Sequence, residues 1–221
     1  MSRMTKEELR EDPVLERIQW FVDFAQNNAR WIGLGAVIVV VVVVGMIMLD
    51  RSNKRSEIEA EQLLRAGQTF LFQNDHVRAE SELRTLLESY GGTHSAIAGR
   101  IAMGDALLAQ GRAEEALQYY DEASRKTREP LLQAAAHRGR ASALEGLSNF
   151  ADASAAYERA AEFKTAFHYD DILAAGRTAL KAGDAARAQA LLASIEEDED
   201  ASRTIKTQAD FYLAQAKTTQ R

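Results

Sequence analysis

The chain has 221 residues, of which 46% are apolar and 27% are charged, enough for one domain of ordinary size. It contains no cysteine, which excludes a disulfide framework and thiol chemistry. The formal charge of −6 comes from residues 57–221, where 19 Lys/Arg face 26 Asp/Glu; this acidic balance argues against nucleic acid as a partner.

The first thirty residues are predicted to form a tail and then an amphipathic helix. In "EDPVLERIQWFVDFAQNNARW", Asp12 is placed to cap a helix that has Pro13 at its first position. Apolar residues then recur at helical spacing, and "QNN" at 26–28 predicts a break. Such a helix suits the membrane interface or the surface of a neighbouring subunit. The alternative is a plain extension of the next helix.

Residues 31–49 are nineteen uncharged residues that include six consecutive valines. A helix of that length covers about 28 Å, close to the hydrocarbon core of a bilayer. We therefore predict a single transmembrane helix, followed by a basic linker at 50–56. A signal peptide fits less well because no small-residue cleavage site follows, and a buried soluble helix is rarely apolar on every face. The side chains expected at the membrane interface are Trp20, Phe21, Phe24, Trp31, Arg51, Lys54 and Arg55.

The charge rule for orientation counts Lys and Arg next to the span. Three of them follow it within six residues, whereas Arg30 and the more distant Arg17 precede it. Taken alone, this places the large C-terminal part in the cytoplasm.

Residues 57–200 contain an internal repeat with spacings of 37, 37 and 35 residues. Each of the four segments has a small residue in its first half: Gly67, Gly104, Ala141 and Gly176. A leucine or tyrosine follows in the second half: Leu83, Tyr120, Tyr157 and Leu192. Between them lie the turn sequences "QND", "QGR", "LSN" and "AGD". The pattern predicts helical hairpins that bury their apolar faces by stacking, with a capping helix and tail at 201–221.

These segments resemble tetratricopeptide repeats, most clearly in "GRAEEALQYYDEA" and "ADASAAYERA". The early tryptophan of that family is missing, and the period exceeds 34 residues. The resemblance implies an α-solenoid of about four hairpins, which together with the predicted amphipathic helix and transmembrane helix gives an all-α fold. It also implies a concave groove lined by the first helix of each hairpin. The candidate partner-binding positions in that groove are Leu64, Gln68, Ile101, Asp105, Arg138, Ser142, Leu173 and Arg177. The carboxylate clamp by which some members hold acidic chaperone tails does not match these residues.

The whole layout is similar to the ancillary Sec-translocon subunits of bacterial inner membranes. The segment "IQWFVDFAQNNARWIGLGAVIV" is similar to the start of that family, in which aromatic residues precede an Asn and a Gly-containing span. The resemblance implies a single-pass protein whose repeat domain faces the periplasm, opposite to the charge rule.

No catalytic or metal-binding pattern is evident. The histidines, His76, His94, His137 and His168, lack ligand spacing, and "EEDED" at 196–200 lacks the alternation of a calcium loop. No Gly-rich phosphate cradle is present. We therefore expect no enzyme activity, cofactor, metal or small-molecule substrate.

The leading hypothesis is a membrane-anchored scaffold, an accessory subunit that binds protein subunits of a larger complex through its repeats and the lipid bilayer through residues 31–49. One alternative is a structural subunit of a respiratory or photosynthetic complex. An enzyme of unrecognised type is the other.

Overall fold

The computed structural model describes residues 13–219, apart from the side chains of residues 13–16, Ile32, Ala36 and Thr219. The Asp12 cap and the outermost tails predicted above lie outside this range. Residues 13–219 form ten α-helices and no strand, which confirms the all-α prediction. The helices are α1 Pro13–Asn27, α2 Ala29–Phe72, α3 His76–Tyr90, α4 Ser95–Ala109, α5 Ala113–Lys126, α6 Pro130–Gly146, α7 Phe150–Ala161, α8 His168–Lys181, α9 Ala185–Glu197 and α10 Arg203–Thr219.

The chain divides at Lys54 into two compact units. In the first unit, α1 ends at Asn27, within the predicted break. The Phe24 carbonyl accepts from the side-chain amide of Asn28 at 2.8 Å and from the Asn28 backbone amide at 3.0 Å, so Asn28 supplies two donors at the helix end. The apolar run of α2 follows, with none of its most hydrophobic window buried.

Residues 50–56, expected as a linker, are helical and belong to α2. Ion pairs spaced four residues apart support the helix here, with 2.7 Å between Lys54 Nζ and Asp50 Oδ2 and 3.0 Å between Arg55 Nε and Glu59 Oε1. Pairs of this kind favour the helical backbone even in a charged, exposed segment.

The second unit is a row of antiparallel hairpins that begins with the last part of α2 and α3. Each following pair of helices adds a hairpin, and α10 packs on α8 and α9. The middle residue of every predicted turn has a positive φ: 59° at Asn74, 78° at Gly111, 59° at Ser148 and 82° at Gly183. The four turns therefore share one geometry, which glycine and asparagine adopt easily.

Small residues hold the two helices of a hairpin close together. A Cβ added to Gly67 would lie 2.6 Å from Leu83 Cγ, and one added to Gly176 would lie 2.7 Å from Leu192 Cγ. The second helices contribute the fully buried alanines Ala79, Ala116, Ala153 and Ala188. The periodic positions of the sequence are thus the contact points between helices.

Candidate partner-binding groove

The first helices of successive hairpins lie side by side: α4 contacts α6, and α8 contacts α10. Each second helix packs against the first helices that precede and follow it, as α5 does against α4 and α6. The exposed faces of α4, α6, α8 and the last part of α2 are therefore the surface on which the eight candidate residues lie.

Three of the candidates are largely structural. Leu64 and Ile101 are half-buried and pack against the core cluster that contains Leu83 and Tyr120. Leu173 packs against a second cluster around Leu192. These side chains contribute most of their apolar surface to the core and form the floor of the surface.

Gln68 and Asp105 are exposed. The Tyr120 hydroxyl donates to Asp105 Oδ1 at 2.7 Å. The pKa of Asp105 is raised because the surrounding protein desolvates its carboxylate, although the hydrogen bond from Tyr120 acts in the opposite direction. Asp105 is thus reachable by solvent and yet enclosed by protein on its other sides.

In the next hairpin, Ser142 and Arg177 belong to a polar network. Tyr157 has its hydroxyl 3.1 Å from Ser142 Oγ and 3.1 Å from Glu145 Oε1. Glu145 also receives Arg177 Nη2 at 2.7 Å and Lys181 Nζ at 2.9 Å. One carboxylate therefore faces two cations across the boundary between α6 and α8.

Arg138 is also tied to the next hairpin. Its Nε and Nη2 donate to Asp171 Oδ1 and Oδ2 at 2.6 and 2.8 Å, and its guanidinium lies 4.5 Å from the centre of the Phe167 ring. The hydrogen bond to Asp171 raises the pKa of Arg138 further above its usual value. The residue is engaged within the fold and offers little of its charge to a partner.

A pocket of 410 Å³ lies between α8 and α10, lined by Arg177, Leu180, Lys181, Tyr212 and Gln215. It continues the surface of the first helices to the end of the array. Its lining is amphipathic, with Leu180 and Tyr212 beside Arg177 and Lys181.

The residues expected at a membrane interface are exposed in α1 and α2. Trp20 stacks on Phe24 with ring centres 5.5 Å apart and meets Phe21 edge-on at 5.8 Å. Trp31 is 74% exposed, and Arg51, Lys54 and Arg55 are exposed. Trp20, Phe21 and Phe24 thus form one aromatic cluster on α1, which precedes the apolar run in sequence.

No family model matches the chain, and no curated protein matches it. Solved structures do. The chain is similar to a tetratricopeptide repeat protein from Parabacteroides merdae, at 19% identity and a TM-score of 0.61 over 73% of this chain and 60% of that one. It is also similar to a Podosopora anserina putative kinesin light chain with nearly identical TPR-like repeats, at 14% identity and a TM-score of 0.61 over 72% of this chain and 86% of that one.

The fold is a tetratricopeptide-like helical repeat. A variant of the Podosopora anserina protein gives the same result, with a TM-score of 0.60. The chain spans about three fifths of the length of the Parabacteroides merdae protein. Stacked repeats of this type form an extended concave surface.

Sequence reasoning did not identify three charged residues around the candidate positions. Asp171 pairs with Arg138, and Glu145 pairs with both Arg177 and Lys181. Glu145 lies four residues after the small position Ala141, on the next turn of the same helix face. That spacing could have placed Glu145 beside the candidate positions of α6. The partner of each charge was not readable, because it lies about 32–36 residues away in the next hairpin.

Among the described residues no three His, Cys, Asp or Glu side chains are grouped as a metal site would require. His137 lies half-buried and parallel to the Phe163 ring, with centres 6.0 Å apart. Burial, together with Arg159 and Arg140, lowers the pKa of His137. This histidine is a packing residue.

Proposed function

We propose that the chain is a non-enzymatic scaffold, anchored in a membrane by residues 31–49, that binds protein partners through the first helices of its repeats. The proposal rests on two features that occur together in this chain. A run of α2 with a mean hydropathy of 3.0 has no buried residues, and a tetratricopeptide-like array follows. An apolar surface of this size needs lipid or protein around it.

The flanks of the apolar run support a membrane location. Trp31 lies at its start, and Arg51, Lys54 and Arg55 follow its end. Tryptophan is favoured at the level of the headgroups, and long cationic side chains reach phosphates there. The aromatic cluster on α1 adds a second surface that suits the interface.

The layout resembles ancillary translocon subunits, so we place the protein in the bacterial inner membrane with its repeats in the periplasm. Because the chain has no cysteine, single cysteines give a clean topology test. Gln73→Cys lies in an exposed turn of the repeats, and Asn27→Cys lies at the exposed end of α1. We expect a membrane-impermeant maleimide to label the cysteine at 73 in intact spheroplasts and the one at 27 only after lysis. The reverse pattern contradicts the periplasmic assignment.

Partner binding is tested with a photo-crosslinking amino acid at exposed positions of the full chain in its membrane. Gln68 lies on a first helix, whereas Gln118 lies on α5, a second helix, and is the matched control. We expect discrete crosslinked proteins from position 68 and none from position 118. Crosslinks only from 118, or no crosslink at any position, reject the groove as the binding surface.

A further inference from the structure

The ring of Tyr120 passes between two first helices. Tyr120 belongs to α5, and its side chain is fully buried. A Cβ added to Gly104 of α4 would lie 2.6 Å from ring atoms, and one added to Gly139 of α6 would overlap Cε1 of the same ring. Only glycine fits at either place, so two helices lack a side chain where the ring passes.

The ring ends at Asp105, on the same face of α4 as Ile101. Tyr120 occupies Oδ1, as described above. Within residues 13–219, no Lys, Arg or His nitrogen lies within 4 Å of the Asp105 carboxylate, and no further donor is bound to it. Asp105 is therefore an exposed residue whose carboxylate is held by one hydrogen bond and whose second oxygen, Oδ2, has no donor among the described residues.

The neighbouring hairpin shows the contrast. Tyr157 also reaches a carboxylate, that of Glu145, but Arg177 and Lys181 already neutralise it. Arg138 is likewise neutralised by Asp171. Of the charged groups at the eight candidate positions, Asp105 is the one that the described residues leave without an ion-pair partner.

We propose that Asp105 binds a lysine or arginine side chain of a partner polypeptide lying across the first helices. This deepens the proposed function and depends on it. Ile101, one turn earlier on α4, offers an apolar surface for the aliphatic stem of that side chain. In the preceding hairpin, the position equivalent to Asp105 is the exposed Gln68. The excess of 26 Asp/Glu over 19 Lys/Arg in residues 57–221 favours a cationic partner.

A single carboxylate does not suit a metal ion, which needs several oxygen ligands. A charge-assisted bond to guanidinium or ammonium needs only one. The hydroxyl of Tyr120 orients the carboxylate before the partner arrives, so less conformational entropy is lost on binding.

The test uses the full chain in lipid nanodiscs and a phage-displayed library of random dodecapeptides. Selected peptides are then measured against the wild type, Asp105→Asn, Tyr120→Phe and the control Asp210→Asn. Asp210 is exposed on α10, so its substitution removes the same charge elsewhere in the unit. Tyr120→Phe keeps the ring and removes only the hydroxyl.

We expect selection of peptides that contain Lys or Arg. Their affinity falls about tenfold in Asp105→Asn, severalfold in Tyr120→Phe and less than twofold in Asp210→Asn. Replacing the cationic residue of the peptide by Gln weakens binding to the wild type but not to Asp105→Asn, as a double-mutant cycle shows for a direct pair.

Equal losses in Asp105→Asn and Asp210→Asn, or selected peptides without a cationic residue, overturn this inference and leave the scaffold function standing. An empty selection with crosslinks from position 68 does the same. An empty selection without such crosslinks overturns both.

Discussion

Arg138 and Asp171 join two consecutive hairpins through two parallel hydrogen bonds, although they lie 33 residues apart in sequence. The Asp171 side chain is 1% exposed and that of Arg138 is 29% exposed, so the pair is shielded from water. An ion pair in this environment is costly to break from one side, because the remaining charge loses its partner.

We expect Asp171→Ala to lower the free energy of unfolding by about 2–4 kcal/mol. Far-ultraviolet circular dichroism during urea denaturation measures it; tryptophan fluorescence does not report on the repeats, since Trp20 and Trp31 are the only tryptophans. The control is Glu61→Ala, which removes an exposed partner of Arg65 at 2.7 Å. It should cost about 0.5 kcal/mol or less. Equal effects of the two substitutions contradict the structural role of the Arg138–Asp171 pair.

Gly139→Ala tests the passage of Tyr120 between α4 and α6. The added methyl group meets the Tyr120 ring, and we expect a loss of about 1–3 kcal/mol despite the better helix propensity of alanine. Gly146→Ala is the control in the same helix, because its Cβ would lie 3.6 Å from Ala113 Cβ, an ordinary contact.

Tyr120→Leu should restore most of the stability lost in Gly139→Ala, because leucine stands at the equivalent positions 83 and 192. Additive losses in the double variant argue against a direct clash.

Substitutions at equivalent positions of two turns should change the stability of the protein in opposite directions. Ser148 and Gly111 both have positive φ, and only glycine adopts this region freely. We expect Ser148→Gly to stabilise the protein by about 0.5 kcal/mol and Gly111→Ser to destabilise it by about 1 kcal/mol. Thermal unfolding of both variants measures this. A loss of stability in Ser148→Gly would show that its side chain, rather than its backbone, determines the turn.

The repeats were predictable because each turn, small residue and buried alanine recurs at the same place in every unit. Gly139 was not: it breaks the period and has a role only because the Tyr120 ring happens to reach α6. The pairings of Asp171 and Glu145 were equally hidden, since they join charges in different hairpins. For residues 50–56 the sequence predicted a basic linker without a conformation; the helix there is supported by charges spaced four residues apart.

The N-terminus of α4 is capped by Glu57, a residue of α2. The helix α4 has no capping bond from the side chain of His94, its own N-terminal flanking residue. Glu57 of α2 takes that role instead: Oε2 accepts from the His94 amide at 2.8 Å, and Oε1 accepts from the Ser95 amide at 2.8 Å and the Ser95 hydroxyl at 2.6 Å. A carboxylate at a helix N-terminus accepts hydrogen bonds from the free amides and interacts favourably with the positive end of the helix dipole.

Burial tends to raise the pKa of Glu57, but the hydrogen bonds from Ser95 and His94 together outweigh it, and the pKa lies below its ordinary value of 4.5. A lowered pKa in the folded state means that the ionised form stabilises the fold. This contribution is fully present above the unfolded-state pKa and is lost as the pH falls through the folded-state value.

We therefore expect Glu57→Gln to cost about 1–2 kcal/mol at neutral pH, since the amide keeps one acceptor and loses the charge. The difference from the wild type should shrink as the pH falls below 4.5, because the wild type then loses the same charge. Urea denaturation at a series of pH values measures it. The control is Glu61→Gln, an exposed glutamate of the same helix, for which the difference should stay near zero throughout. A Glu57→Gln difference that stays constant across the series would mean that the carboxylate charge does not cap α4.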